Sequence, residues 1–184
     1  MSKKVLVPIA DGSEEIEAVT IIDVLRRAGA EVCVASCAEA GRLQITASRG
    51  VVLVADTAIE QCQGHEYDLI AVPGGLAGSE NLRDCAELTS LLRQQQAAGR
   101  LYAAICAAPQ LVLAHHGLLD DKQATGHPGF QDKLPQPRAD ERVVVDGNCI
   151  TSQAPGTALA FALTLVEQLY GLEKRQQVAA PMVV

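Results

Sequence analysis

The feature that most constrains the fold of this chain is the alternation of short apolar segments with longer amphipathic ones. The apolar segments have the length of buried strands, and the amphipathic ones have helical spacing. Strand-like segments span residues 3–9, 30–36, 67–75 and 101–105, and helix-like segments span 14–28, 79–98, 107–114 and 156–170. Such alternation is typical of βαβ units. We therefore predict an α/β fold with a mainly parallel sheet and helices on both faces.

Turn and cap signals predict where the elements begin and end. Ser13 is the expected N-cap of the first helix, since its hydroxyl can accept from an unpaired backbone N–H group. Two hairpins are expected, one turning near residues 48–50 and one in "VVVDGNCITS", which carries an Asp-Gly turn signal. No repeat, linker or low-complexity segment is present, so we expect a single domain over residues 1–184.

Composition narrows the possible partners. The net charge of −7 argues against a nucleic-acid backbone as the partner, because phosphate binding needs clustered Lys and Arg. The start "MSKKVLVPIADGSEE" does not fit a signal peptide, and the stretch "ALAFALTLVEQLY" is too short to span a bilayer. We expect a cytoplasmic protein with no membrane or nucleic-acid partner and with its six cysteines reduced. The cysteines form no CxxC pair, so no metal is expected.

Cys106 lies where the strand 101–105 gives way to the following helix. A thiol in the first turn of a helix faces unpaired N–H groups and the positive end of the dipole, which favour thiolate. There Cys106 is expected to be appreciably ionised at neutral pH, and thiolate is the reactive form. The same composition also fits a small buried hydrophobe. For Cys33 and Cys149 we take that second interpretation, and the remaining cysteines, at positions 37, 62 and 85, are expected to form no constellation.

Three strand ends are expected to meet at one edge of the sheet, at "IADGSEEIE", "VPGG" and "AICAAP". Glu17 falls on or near the buried side of the first helix, although an acid there also suits the helix dipole. If Glu17 touches Cys106, we predict that it is neutral, because a protonated carboxyl donating to sulfur lowers the thiol pKa. Gly74 and Gly75 are candidates, with the amide of Ala107, for an oxyanion hole, or they form an ordinary turn.

Three further side chains are candidate site residues, and each also has an ordinary structural interpretation. His127 in "TGHPG" is a possible acid or base, or a structural loop histidine. Arg27 suits the end of the first helix through its dipole, and Arg49 suits a hairpin turn as a solvated charge. The sequence alone leaves these alternatives open.

Seven segments in this order resemble the ThiJ/PfpI superfamily, and most closely its branch of Parkinsonism-associated deglycases and their bacterial ThiJ-like relatives. They are "GSEEIEAVTIIDVLRRAGAEV", "TASRGV", "YDLIAVPGG", "AAICAAP", "TGHP", "TSQAPGTALAFALTLVE" and "QVAAPMVV". The resemblance implies a flavodoxin-like sandwich and a homodimer to whose contacts the first helix and the C-terminal segment contribute.

The resemblance also implies roles for the candidate residues. It makes Cys106 the nucleophile, Glu17 its protonated partner and His127 a nearby acid or base. It assigns Gly74, Gly75 and Ala107 to the oxyanion pocket. It places Arg49 and Arg27 near the pocket and the dimer contact, as substrate-binding candidates.

The implied activity is a cofactor-free, cysteine-dependent reaction on methylglyoxal or glyoxal, or on their early adducts with protein groups. Such a glyoxalase III-like enzyme or protein deglycase would protect against carbonyl and oxidative stress. The alternative is an oxidative-stress sensor or redox-regulated chaperone acting through Cys106 oxidation. Peptidase activity is not expected, because Ala107 stands where the protease-like branches carry His.

Overall fold

The computed structural model describes residues 2–184. Its strands are β1 Lys4–Ile9, β2 Glu31–Ser36, β3 Gln44–Thr46, β4 Val52–Val54, β5 Thr57–Ala58, β6 Leu69–Val72, β7 Leu101–Ile105, β8 Gln123–Ala124, β9 Gln136–Pro137, β10 Val143–Asp146 and β11 Cys149–Ser152. Its α-helices are α1 Glu15–Arg27, α2 Leu76–Asp84, α3 Ala86–Ala97, α4 Ala158–Tyr170 and α5 Leu172–Ala179. A π-helical segment, Pro109–Ala114, follows β7.

A seven-stranded sheet organises the molecule, in the order β10-β11-β7-β6-β1-β2-β5. Only the β10–β11 pair is antiparallel, and the other pairs in this sheet are parallel. The chain runs from β1 outward to β2 and β5, then returns to the other side of β1 with β6. The strand order thus reverses between β1 and β6, which is where open α/β sheets bind ligands.

The two faces of the sheet are covered by different helices. On one face α1 and α4 pack with Ile21, Phe161 and Val166 in the core. On the other face the apolar side chains of α3 and the π-helical segment cover the sheet, among them Leu88 and Val112. The predicted α/β architecture is confirmed, because the central strands β1, β6 and β7 send alternate side chains into two buried layers.

Several predicted boundaries need correction. Ser13 is not the N-cap of α1: Glu14 takes that position and accepts from the amide of Glu17, while the Ser13 hydroxyl accepts from the amide of Ala10. The predicted helix over 79–98 is two helices, because the backbone of Cys85 is extended. Helix α5 was not predicted. Both predicted hairpins are present, as β3–β4 and β10–β11. Within residues 2–184, the helices are all too short or too polar to cross a membrane.

Candidate active site

Cys106 occupies a strained turn directly after β7. Its φ of 67° lies in the left-handed region, which non-glycine residues seldom adopt and which costs about 1–2 kcal/mol. Two backbone hydrogen bonds hold the turn, since the Cys106 amide donates to the carbonyl of Ser152 (3.1 Å) and the Cys106 carbonyl accepts from the amide of His127 (2.6 Å). Neighbouring segments therefore stabilise a conformation that the cysteine itself disfavours, and such strain is concentrated at functional sites.

Gly74 and Gly75 follow β6 and pack against this turn. A Cβ on Gly74 would lie 2.5 Å from the Cys106 Cβ and 2.7 Å from Glu17 Oε2, so only glycine fits there. Gly75 has a φ of 87°, and a Cβ on it would overlap the carbonyl oxygen of Gly12. Because these two glycines have no side chain, the Gly75 amide approaches the Cys106 sulfur closely enough to donate to it. The Ala107 amide does the same. The cysteine thus lies among inward-pointing N–H groups.

Glu17 brings a carboxyl group into the same buried space. Its side chain is inaccessible to solvent; Oε2 accepts from the Gly74 amide at 2.8 Å, and Oε1 has no hydrogen-bond partner. Burial raises the pKa of Glu17 to about 7, with a further rise from the charge of Glu14, against lowering by the Gly74 amide and the Cys106 thiol. This direction favours the neutral form, in which the carboxyl can carry a proton towards sulfur.

The thiol pKa differs from the sequence-based expectation. Burial, followed by repulsion from an ionised Glu17, raises the pKa of Cys106 to about 12, although the amides of Gly75 and Ala107 lower it. The expectation of an appreciably ionised thiol at neutral pH is therefore wrong for a cysteine beside an ionised carboxylate. Because the two buried groups repel one another when both are charged, the pair favours at most one negative charge, on sulfur or on the carboxylate.

A backbone hydrogen bond to Cys106 holds His127 at the site. Its amide donates to the Cys106 carbonyl, and its Nδ1 accepts from the amide of Gly129 at 3.1 Å. A ring nitrogen that accepts is unprotonated in the neutral imidazole, so the Nε2 atom carries the proton and can donate it. His127 also lines the cavity that contains Cys106.

That cavity has a volume of about 660 Å³ and opens at the carboxyl ends of the strands. Its walls include Arg49, whose backbone amide donates to Glu15 at 2.8 Å. Arg27 does not reach it: within one copy of the chain it pairs with Asp23 in the last turn of α1 and borders a separate cavity beside α5. The role proposed for Arg27 in substrate binding at this cavity is therefore corrected, because α1 carries it to the opposite end of the helix.

Several cavity-lining residues were not predicted, among them Glu80, Phe130 and Pro155. Pro155 follows β11 at the same sheet edge, so its position just after a strand was a usable signal. Glu80 and Phe130 lie in helical segments whose placement depends on tertiary packing, and no sequence signal marks them.

Comparison with known proteins identifies relatives whose sequence similarity covers nearly the whole of this chain. The DJ-1/PfpI family model matches residues 3–168. Protein DJ-1 homolog B of Arabidopsis thaliana is 50% identical over 177 residues, covering 96% of this chain. The chain spans only 40% of the length of that relative. A Caenorhabditis elegans relative, glutathione-independent glyoxalase DJR-1.2, is 35% identical over 98% of this chain and 95% of its own length.

Among solved structures, one of Toxoplasma gondii DJ-1, described as oxidized, is highly similar to this chain. It has a TM-score of 0.95 and 46% sequence identity, and the match covers 99% of this chain and 98% of the other. The similarity therefore extends through every strand and helix that positions Cys106.

Proposed function

Because the chain belongs to the DJ-1/PfpI family, we propose that it is a cofactor-free, cysteine-dependent enzyme acting on methylglyoxal, glyoxal or their early adducts. One observation carries the proposal: the buried Glu17 carboxyl, one of whose oxygens has no hydrogen-bond partner, lies beside a thiol held at positive φ. Backbone strain and unsatisfied buried polar groups are concentrated at functional sites, and here both occur in one contact. The relative named as a glutathione-independent glyoxalase points to the same reaction class.

The first step is addition of sulfur to the aldehyde carbon. The thiol proton moves to the Glu17 carboxylate, so the thiolate forms without releasing a proton to solvent, and the amides of Gly75 and Ala107 stabilise its charge. The new C–S bond gives a hemithioacetal, and the former carbonyl oxygen takes up the proton that Glu17 holds. A group whose pKa is about 7 is well matched to both proton transfers at neutral pH.

Glu17 is then a carboxylate and acts as the base. It removes the hydrogen on the carbon attached to sulfur, and the electron pair moves to form an enediol. His127, with its proton on Nε2, donates that proton to the neighbouring oxygen. Glu17 then returns its proton to the adjacent carbon, while the hydroxyl on the carbon attached to sulfur gives its proton back to His127, and the product is a thioester of a 2-hydroxy acid. Water then cleaves the C–S bond, releasing lactate from methylglyoxal and restoring the thiol, with no external oxidant or reductant.

The experiment that tests this function is lactate formation from methylglyoxal by the wild type and three variants. Cys106→Ser is expected to lower kcat/KM by about 10³-fold or more, because it removes the nucleophile. Glu17→Gln is expected to lower it by about 10²-fold or more, because it removes the acid and base. Cys149→Ser, in which the altered thiol is also buried but lies in a regular strand, is the matched control and keeps wild-type turnover.

Two results would overturn the proposal. The first is no lactate from wild-type protein whose Cys106 is shown by thiol labelling to be reduced. The second is full turnover by Glu17→Gln, which would remove the carboxyl from the scheme. A preformed adduct of methylglyoxal with a thiol or amine then separates glyoxalase from deglycase activity. If lactate appears no faster than the adduct releases free aldehyde, only the free aldehyde is the substrate.

Oxidation of Cys106 is the second candidate function, favoured by the likeness to a structure described as oxidized. A sulfinate at Cys106 would accept from the Gly75 and Ala107 amides and from a protonated Glu17, so each oxygen would find a donor. Mild peroxide is then expected to add two oxygens to the wild type and none to Cys106→Ser. Oxygen addition spread over all six cysteines would contradict a sensor.

We also propose that a second copy of the chain covers the exposed apolar face of α1 and the β3–β4 hairpin. Ile16 and Val19 project from α1, and Val52 and Val54 from the hairpin, all more than two-fifths exposed. Hydrogen bonds to Glu15 from Ser48 and Arg49 in the hairpin turn hold the two elements side by side.

Sedimentation velocity tests this interface. Val19→Glu is expected to give a monomer, because it buries an unpaired charge in the interface. The control Val145→Glu changes a similarly exposed valine on β10, at the far edge of the sheet, and should sediment like the wild type. A wild-type chain that is monomeric throughout the concentration range would overturn the interface.

A further inference from the structure

A second pair of cysteines lies away from Cys106, and we propose that Cys33 and Cys62 form a dithiol site that hydrogen peroxide converts to a disulfide. The two thiols line one small cavity near the amino ends of β1 and β2, whereas Cys106 lies at the carboxyl ends of the strands. The sequence predicted no constellation for Cys62 and a simple core role for Cys33. The fold overturns that expectation by bringing them together.

Backbone contacts explain why these thiols meet. Cys33 is the third residue of β2, and Cys62 ends the short helical turn that follows β5. Strand β5 pairs with β2, and Asp56 just before it clamps the strand beside Cys33: its amide donates to the Val34 carbonyl (2.8 Å), and its carboxylate accepts from the Val34 amide (2.9 Å). The turn carrying Cys62 is thereby fixed against β2, so the pairing does not depend on a flexible loop.

The surroundings of Cys62 favour its reaction with an oxidant. Cys33 and Tyr67 line the same cavity as Cys62, and hydrogen bonding from these two side chains lowers the pKa of Cys62 to about 7, against burial and the charge of Glu60. The opposite effect falls on Cys33, whose pKa is raised by the same hydrogen bond and by burial. One thiol is therefore the nucleophile, and its neighbour retains the proton and is placed to resolve the product.

The cavity beside the two thiols is large enough for the reagent, although the Cys62 side chain itself is buried. The cavity volume is about 210 Å³, and hydrogen peroxide has only two heavy atoms. Cys62 thiolate attacks one peroxide oxygen, the O–O bond breaks, and the hydroxide that leaves takes a proton from solvent. This gives a sulfenic acid and water. The Cys33 sulfur then attacks the Cys62 sulfur, the S–O bond breaks, and the hydroxide that leaves accepts the Cys33 proton. The chain loses two hydrogens in all, and the peroxide becomes two waters.

The other neighbouring cysteines are less suited to this reaction. Cys37 and Cys85 also lie together on a cavity, and Cys37 donates to Cys85. However, the Cys85 thiol donates to the carboxylate of Glu87 at 3.7 Å, and that negative charge opposes a thiolate, although hydrogen bonding from Cys37 lowers the pKa of Cys85 overall. Cys149 has no thiol neighbour among residues 2–184, since its side chain faces Tyr102. The Cys37–Cys85 pair and Cys149 therefore serve as internal controls for oxidation of the Cys33–Cys62 pair.

The test treats the folded full-length protein with a small excess of hydrogen peroxide, blocks free thiols, and maps linked fragments by mass spectrometry without reduction. A fragment joining residues 28–42 to the one containing Cys62 is expected. Because Cys33 and Cys37 share residues 28–42, Cys33→Ser should abolish the link and Cys37→Ser should retain it. Cys106→Ser and Cys149→Ser should also retain it, which separates this site from the proposed active site.

A second measurement keeps the proposal open to refutation if a variant folds poorly. In folded Cys33→Ser, checked by circular dichroism, Cys62 lacks its resolving partner and should accumulate as a sulfenic acid that dimedone labels. Wild-type protein should show little such label at Cys62. The proposal is overturned if no link forms while Cys106 is oxidised in the same sample. It is also overturned if the link persists in Cys33→Ser or disappears in Cys106→Ser.

Discussion

Cys106 and Cys149 are both buried thiols on neighbouring strands, yet only one has the surroundings of a nucleophile. Cys149 begins β11 and pairs in register with Tyr102 on β7, and Cys106 comes directly after β7. Burial is the first cause raising each thiol pKa, to about 12 in both cases. Burial and acidity therefore do not separate the two sites.

What separates them is the backbone and the polar group that faces the sulfur. Cys149 lies in a regular strand beside the hydroxyl of Tyr102, which donates to the carbonyl of Leu118. Cys106 is held at positive φ between two backbone amides and faces a buried carboxyl with an unpartnered oxygen. The comparison teaches that stored strain and unsatisfied polar groups mark this site better than thiol acidity does.

The largest effect that sharpens this comparison is expected at the glycine beside Cys106. Gly75→Ala places a Cβ against the Gly12 carbonyl at a φ of 87°, so it should cost about 4 kcal/mol of unfolding free energy and abolish turnover. Gly29→Ala is the matched control, with a φ of 86° and open space around it, and should cost only about 1–2 kcal/mol. Urea unfolding measures both. Equal losses would mean that close packing at Gly75 adds nothing.

The sequence could predict that these groups converge, for a simple physical reason. Parallel strands place their carboxyl ends at one sheet edge, so the segments that carry Glu17, Gly74 and Cys106 were expected at that edge once the strands were recognised. The alternation of apolar strand-like segments with amphipathic helix-like ones was sufficient to predict the fold class. It reflects the two apolar layers between the sheet and its helices.

Features set by tertiary distance could not be predicted in this way. The thiol pKa of Cys106 depends on burial and on an ionised neighbour, whereas the sequence shows only the helix start. The Cys33–Cys62 contact joins residues from different elements, and no local pattern marks it. The break between α2 and α3 at Cys85 was likewise not predictable, because the composition of this segment is that of one continuous helix.

The next largest effect is a pH dependence that only the Cys106 site should show. Burial raises the pKa of Glu17 from its ordinary 4.5 to about 7, so the folded state keeps this proton when the unfolded state has lost it. Stability from the neutral carboxyl is full below pH 4.5 and is lost as the pH rises to 7, by about 3 kcal/mol.

Glu17→Gln lacks this titration and provides the reference. The difference in unfolding free energy between wild type and Glu17→Gln should move against the wild type by about 3 kcal/mol between pH 4.5 and 7, as measured by urea unfolding at each pH. A constant difference over that window would show that Glu17 ionises normally in the folded protein, and the proposed sharing of a proton with Cys106 would then fail.

The smallest effect compares one substitution at the two thiols. Cys106→Gly relieves a positive φ, and that gain of about 1 kcal/mol offsets the packing that the thiol side chain supplied, so stability should change little. Cys149→Gly has no strain to relieve: it opens space in a buried strand and adds backbone entropy to the unfolded chain, at a cost of about 2 kcal/mol. Thermal and urea unfolding of both variants measure the difference. Equal destabilisation would show that Cys106 stores no strain, and the backbone distinction between the two cysteines would be lost.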